Sequence, residues 1–234
     1  DTTNDEFAGC LNITNNGSLS VNSIQMNRTN GSTGYISTFN MTSGTLNFTG
    51  SGDAFKLSAG GAANGYLISI TGGNINTDAV RTVNADITLG DVTIGSTAAD
   101  GAAAGLTFVD GKTVTWKGLI ENDGTALAFN GDIVLDSTVT DANVVDAVRP
   151  YTQFSDAIAD AHGGANGNGY EDTKRWLVHN SGNGTSTLAN AQDVTVGDNS
   201  YALVADADGI YFDYTPVADR YYVNNGTVLF GGGN

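Results

Sequence analysis

GTLNFTG (residues 44–50) decides how this chain is read. Leu46 and Phe48 alternate with Thr45, Asn47 and Thr49, and a glycine stands at each end. Successive side chains of a strand point to opposite faces, so the segment is a short strand with one apolar and one polar face. Asn47-Phe48-Thr49 is also an N-glycosylation acceptor. The same pattern recurs from about residue 17 to 140. It runs through GSLSVNSIQM (17–26), GYISTFNM (34–41), AFKLSAG (54–60), GYLISITGG (65–73) and VNADITLGDVTIG (83–95), and on through GLTFVDG (105–111), KTVTWKG (112–118), TALAFNG (125–131) and DIVLDSTV (132–139). These segments follow one another every 9 to 12 residues or roughly so, a spacing that suits a sandwich, a barrel or a solenoid.

Composition agrees with a β protein. The 234 residues include 32 Gly and 2 Pro, so chain reversals rest on Gly, Asn and Asp, which accept positive φ. Strands of about five residues, breaks made by single Gly or Asx-Gly pairs, and small-residue intervals such as SAGGAANG (58–65) and STAADGAAAG (96–105) favour a solenoid, whose corners must be compact. No strict period survives counting. The expected fold is therefore all-β, with a β-solenoid-like (parallel β-helix) body. A β-sandwich or jelly roll is the alternative.

GTLNFTGSGDAFKLSAG (44–60) and GYLISITGGNINTDAV (65–80) resemble the loose repeats of autotransporter-type passenger domains and related surface adhesins. Surface-layer and extracellular filament subunits share that style of sequence. The resemblance covers about residues 17 to 140, rests on style rather than a motif, and implies a secreted right-handed parallel β-helix. The C-terminal membrane barrel of autotransporters has no counterpart here, and the small size fits filament or surface-layer subunits better.

The texture changes near 141. TQFSDAIADAH (152–162) spaces Phe154, Ile158 and Ala161 as a helix does, with Ser155 and Asp156 near its start. EDTKRWLVH (171–179) reads as a second short helix or as a strand. Alternation returns in DVTVG (193–197), SYALVADADG (200–209), IYFDYTPV (210–217) and RYYVNNGTVLF (220–230), where Asn225-Gly226 signals a hairpin. The expected division is a strand-rich body over 1–145, a mixed insertion with short helices over 146–192, and a C-terminal β segment over 193–234 that packs on the body or on a neighbouring subunit.

The chain carries 9 basic and 25 acidic residues, a formal net charge of −16. Phosphate binding needs clustered Lys and Arg, so nucleic acid is not an expected partner. No stretch approaches the roughly 18 apolar residues of a membrane helix, so no membrane insertion is expected. The sequence starts at Asp1 without a Met, which is consistent with a signal peptide already removed and a cell-surface or extracellular protein. One cysteine, Cys10, admits no intrachain disulfide.

The acids are Asp except for Glu6, Glu121 and Glu171. Asp206, Asp208 and Asp213 surround Gly209 and form the best candidate for Ca2+, a hard cation that takes carboxylate oxygens, although a β-turn with solvated Asp residues is the commoner source of such a pattern. His162 and His179 lack zinc-ligand spacing, and no Ser lies in a G-x-S-x-G context. The chain is not expected to be an enzyme. Asn12, Asn16, Asn27, Asn30, Asn40, Asn47, Asn183 and Asn225 are glycosylation acceptors, six of them before residue 50. Phe7, Leu11 and Ile13 near one end, and Val228, Leu229 and Phe230 near the other, are candidate assembly residues, because an apolar terminal strand can complete a sheet in a neighbouring copy. The expectation is a secreted structural protein that polymerises with copies of itself into a filament, sheath or surface layer, with Ca2+ as the assisting ion that its acids would suit. The alternatives are a glycan-binding adhesive module using Trp116, Trp176, Tyr221 and Tyr222, and a polysaccharide-active enzyme on a β-helix.

Overall fold

The computed structural model of the chain describes residues 9–26, 37–57, 66–139, 174–196, 199–213, 221–224 and 227–230. Every regular element among them is a strand. In chain order these are β1 (Cys10–Ile13), β2 (Ser18–Val21), β3 (Ile24–Met26), β4 (Ser37–Met41), β5 (Thr45–Phe48), β6 (Asp53–Leu57) and β7 (Tyr66–Thr77). Next come β8 (Val80–Val83), β9 (Ile87–Ser96), β10 (Gly105–Phe108), β11 (Thr113–Trp116), β12 (Ile120–Asp123), β13 (Ala126–Phe129) and β14 (Asp132–Leu135). The rest are β15 (Lys174–Ser181), β16 (Thr185–Leu188), β17 (Asp193–Val196), β18 (Asn199–Asp206), β19 (Gly209–Asp213), β20 (Tyr221–Asn224) and β21 (Thr227–Phe230).

Pairing is parallel throughout the body and sorts the strands into three ladders. The first runs β1, β4, the start of β7, the start of β9, β11 and β14. The second runs β2, β5, the end of β7, the end of β9, β12 and β15. The third runs β3, β6, β8, β10, β13 and β16. The chain visits the ladders in that order and then starts again one tier further on. The long strands β7 and β9 pass from the first ladder into the second, so those two ladders, together with β17, β18 and β19, form one 13-stranded sheet, and the third forms a sheet of six. The sheets are open. Parallel pairing departs from the antiparallel ladders of a sandwich or jelly roll.

Register aligns like with like. In the first ladder Phe39, Ile68, Ile87, Val114 and Ile133 stand in one row, and Ile13, Met41, Ile70, Leu89, Trp116 and Leu135 in another. Leu46 and Phe48 of GTLNFTG are fully buried, while Thr45 and Asn47 are only partly covered. Rows repeat because slipping a strand by one residue would turn its apolar set outward. Inside, Phe55 meets Phe39 and Phe48 edge-on at centroid distances of 5.6 and 5.2 Å, and Phe108 stacks on Phe129 at 4.6 Å. Each such fully buried side chain contributes about 1.5–3 kcal/mol, and a well-oriented aromatic pair about 0.5–1.5 more.

The segment 174–179, read from sequence as a short helix or a strand, is strand. β15 pairs with β12 on one side and antiparallel with β19 on the other, so its backbone groups are satisfied by neighbours and not by an internal ladder. The helix expected over 152–162 lies outside the described residues. Sheet pairing runs across both divisions expected near 145 and 192, because β15 and β16 extend the body ladders and β19 pairs with β15. Asn225-Gly226 joins β20 and β21, which pair antiparallel as the hairpin signal requires and form a two-stranded sheet of their own.

Candidate assembly edges and the outer polar face

The two ends of the stack differ. At the far end the antiparallel run β19–β18–β17 follows β15 and contributes Val194, Tyr201, Leu203 and Ile210 to the same core. The Gln192 side chain accepts a hydrogen bond from the Ile133 amide of the last strand of the first ladder at 2.9 Å, which occupies part of that edge. At the near end β1, β2 and β3 each pair on one side only among the described residues. Leu11 belongs to the row of Phe39, yet it is 44% exposed whereas Phe39 is 1% exposed. A cavity of about 260 Å³ opens beside it, lined in part by Leu11, Ile24, Met26 and Phe39.

Charge follows the same asymmetry. Residues 7–52 contain one charged side chain, Arg28, in a chain of net charge −16. Charged side chains, Lys above all, are a common guard against edge-to-edge pairing, and β1, β2 and β3 have none. Of the assembly residues expected from sequence, Leu11 is exposed and Ile13 is buried at 5% exposure against the next tier. Val228, Leu229 and Phe230 lie in β21. Phe7 lies outside the described residues.

The outer faces carry polar ladders. Asn40 Nδ2 donates to Asn12 Oδ1 at 3.0 Å, Asn76 Nδ2 to Asn47 Oδ1 at 2.9 Å, and Asn47 Nδ2 to Ser20 Oγ at 3.3 Å. Parallel register puts these side chains directly above one another, so the acceptor asparagines Asn12, Asn40 and Asn47 serve as rungs between tiers. Asn16 and Asn183 stand exposed in turns, and Asn27, Asn30 and Asn225 lie outside the described residues.

Further along the same outer face Glu121 and His179 are register partners, and Glu121 Oε2 lies 2.9 Å from His179 Nδ1. Trp176 meets His179 edge-on at 5.3 Å and Tyr211 at 5.0 Å. The Tyr211 hydroxyl donates to Asp206 Oδ2 at 3.0 Å, while Asp206 Oδ1 accepts from the Asp208 amide at 2.9 Å. Both oxygens of Asp206 thus serve the β18–β19 turn. Asp208 sits in that turn and Asp213 ends β19. Among the described residues no group of three or more His, Cys, Asp and Glu side chains is placed to hold a metal ion. His162 lies outside the described residues. Trp116, a candidate glycan platform by sequence, is 1% exposed in the core. The Glu121–His179 pair gave no sequence signal, because its partners are 58 residues apart and meet only through ladder register.

Beneath that face Asn122 is fully buried at a position where the three preceding tiers carry Leu46, Ile75 and Ile94 and the next carries Asn180. Its Oδ1 accepts from the Thr125 amide at 3.2 Å and the Thr125 hydroxyl at 2.5 Å. Its Nδ2 faces Thr125 O, Asn180 Oδ1, Thr185 O and Ser186 Oγ at 3.1, 2.9, 3.1 and 3.3 Å. The amide pins the corner between the second and third ladders.

No protein-family model, curated protein or solved structure matches the chain.

Proposed function

We propose that the three ladders form a β-solenoid and that the protein is a secreted structural subunit, not an enzyme, which assembles with copies of itself through strand edges. The observation that carries the reading is the asymmetry of the stack. One end is covered by β17–β19, and the other offers three edges without charge and an exposed Leu11. Solenoid ends need a polar cap or a partner to remain soluble. An edge without charge, bulge or proline is a template for another strand. The Asn–Asn and Asn–Ser rungs give the outer face of the early tiers a hydrogen-bonded polar coat suited to the extracellular space.

Electron microscopy and light scattering of the purified chain, with and without Ca2+, test the proposal. Ordered polymers support it, and a strict monomer at high concentration in both conditions refutes it. Trp176, His179 and Glu121 on the outer face favour a second reading, a glycan-binding surface. A glycan array on which a Trp176→Ala variant and the parent protein behave alike removes that reading.

A further inference from the structure

We propose that the edge of β1 that no described strand pairs is completed by strand β21 of a second copy, so that copies join head to tail. This rests on the assembly reading above and names its contact.

Leu11 begins a row whose other members, Phe39, Ile68, Ile87, Val114 and Ile133, are between 1% and 5% exposed. Its own 44% exposure goes with its place at the edge, where among the described residues no strand pairs with β1 on the side away from β4. A strand laid along β1 would cover Leu11 and pair the backbone groups that β1 turns away from β4. That is β-augmentation, in which main-chain hydrogen bonds give affinity and alternate pockets give selectivity.

β21 fits that place on three counts. It has four residues, as β1 has. With β20 it forms a sheet of two strands joined to neither of the larger sheets, and a lone two-stranded hairpin is marginal in water. Residues 221–234 carry no charged side chain, and neither do residues 7–27. Two copies of a chain at −16 repel through most of their surfaces, and this pair of segments meets without that penalty. Because β1 and β21 are different surfaces, the contact is heterologous and does not close on itself by two-fold symmetry, so it links successive copies head to tail, into an open polymer wherever the rotation between copies does not close a ring.

Cys10, the single cysteine, is exposed on β1 and supplies the probe. Variants Val228→Cys, Leu229→Cys and Phe230→Cys are each oxidised mildly with diamide and run without reductant. The expected result for at least one is a ladder of dimer, trimer and higher covalent species that collapses on reduction and is cut back to monomer when Cys10→Ser is added. A cross-link within one chain, or dimers alone, overturns the head-to-tail contact. A second variant, Leu11→Lys, places a charge on the edge at a site already exposed, and pelletable polymer is expected to fall at least about tenfold with the melting temperature of the subunit unchanged. Polymers that persist in Leu11→Lys and give no covalent ladder sink this contact and leave assembly standing. A protein that never polymerises sinks both.

Discussion

Replacing Asn122 by Asp changes one NH2 group into an oxygen and leaves shape and volume untouched. The consequence is large because of what surrounds that group. Asn122 is 0% exposed, and its Nδ2 faces four oxygens between 2.9 and 3.3 Å. An aspartate there sets a buried negative charge against three carbonyl oxygens and the Ser186 hydroxyl, whose proton is already given to Asn180 Oδ1, with the Thr125 amide and hydroxyl donating to its other oxygen. Leaving a buried charge uncompensated costs about 3–5 kcal/mol, a third or more of the stability of a typical domain. For a chain of this size that lowers the melting temperature by about 10 °C. The sign with pH is fixed. Burial and acceptors raise the folded-state pKa of the new carboxyl above its unfolded value, so the penalty is present at neutral pH, fades as pH falls through the raised folded-state value toward the unfolded one near about 4, and is gone below it, where the group is protonated in both states. Asn122→Leu is the control. It continues the apolar row of Leu46, Ile75 and Ile94, and the gain of burial offsets the orphaned Thr125 amide, leaving a loss of about 1–2 kcal/mol. Thermal and urea unfolding at pH 7 and pH 4 measure both. An Asn122→Asp variant that melts within about 2 °C of the parent at pH 7 refutes the idea that this amide pins the corner.

Phe48→Ala removes a fully buried ring that packs edge-on against Phe55 and lies under the Arg81 guanidinium at 5.6 Å, and urea unfolding should show a loss of about 4 kcal/mol. Arg81 is 1% exposed and donates to Asn22 O and Asp53 O, but its Nε and Nη1 have no hydrogen-bond partner. Burial holds its pKa below the ordinary guanidinium value, against the opposing pull of Asp78 and Asp53. Since an apolar side chain of similar length often replaces a poorly compensated buried ion without loss, Arg81→Met should unfold within about 1 kcal/mol of the parent or be more stable. The Asp136 carboxyl is held below its usual value by the Thr138 hydroxyl, then by the Thr138 amide, with Lys117 adding to the effect. A depressed folded-state pKa gives stability that is present above the unfolded value and is lost as pH falls through the folded one. The stability gap between the parent and Asp136→Asn should therefore be constant near neutrality and narrow in acid, as read from unfolding curves between pH 7 and pH 2.

Alternation made most strands legible, since Leu46 and Phe48 in GTLNFTG, or Ile68 and Ile70 in GYLISITGG, announce a buried face by themselves. It failed where the inward position is polar. β12 reads Ile-Glu-Asn-Asp, and only the corner network explains why Asn122 is the residue that faces in. It failed again where glycine bends a strand without ending it. Gly72 and Gly73 mark a stop in the sequence, but β7 runs through both. Gly73 takes a φ of +91°, and a Cβ on Gly72 would stand 2.2 Å from the Thr42 carbonyl oxygen, so the pair makes a corner at which the chain changes ladder while keeping its pairing. The strand β15 was ambiguous because helix and strand periods cannot be separated over so short a run, and its partners β12 and β19 decide it. Side-chain encounters such as Glu121 with His179 depend on which tiers end up adjacent, and no local pattern encodes that.

The distribution of charge along the stack separates two kinds of contact between copies. The strands of the first tier, β1, β2 and β3, are uncharged, the second tier carries Asp53 and Lys56 in β6, and apart from Asp1, Asp5 and Glu6 ahead of β1 the remaining acids, among them Asp78, Asp86, Asp91 and Asp132, come later in the stack. An end-to-end contact at the first tier therefore buries neutral strands, and its strength should change little with salt. Side-by-side contact brings the acidic later tiers of two copies together, and their repulsion acts over a Debye length of about 8 Å at physiological ionic strength. Added salt shortens that range, and a divalent cation such as Ca2+ screens more strongly at the same concentration. Filament length and filament bundling should thus respond differently: length nearly constant between about 20 mM and 500 mM NaCl, bundling rising steeply with salt and more steeply with Ca2+. Turbidity reports bundling and electron microscopy reports length on the same samples. Filaments that shorten or dissociate as salt rises would mean that charged side chains make the end contact, which the uncharged edges of β1, β2 and β3 do not allow.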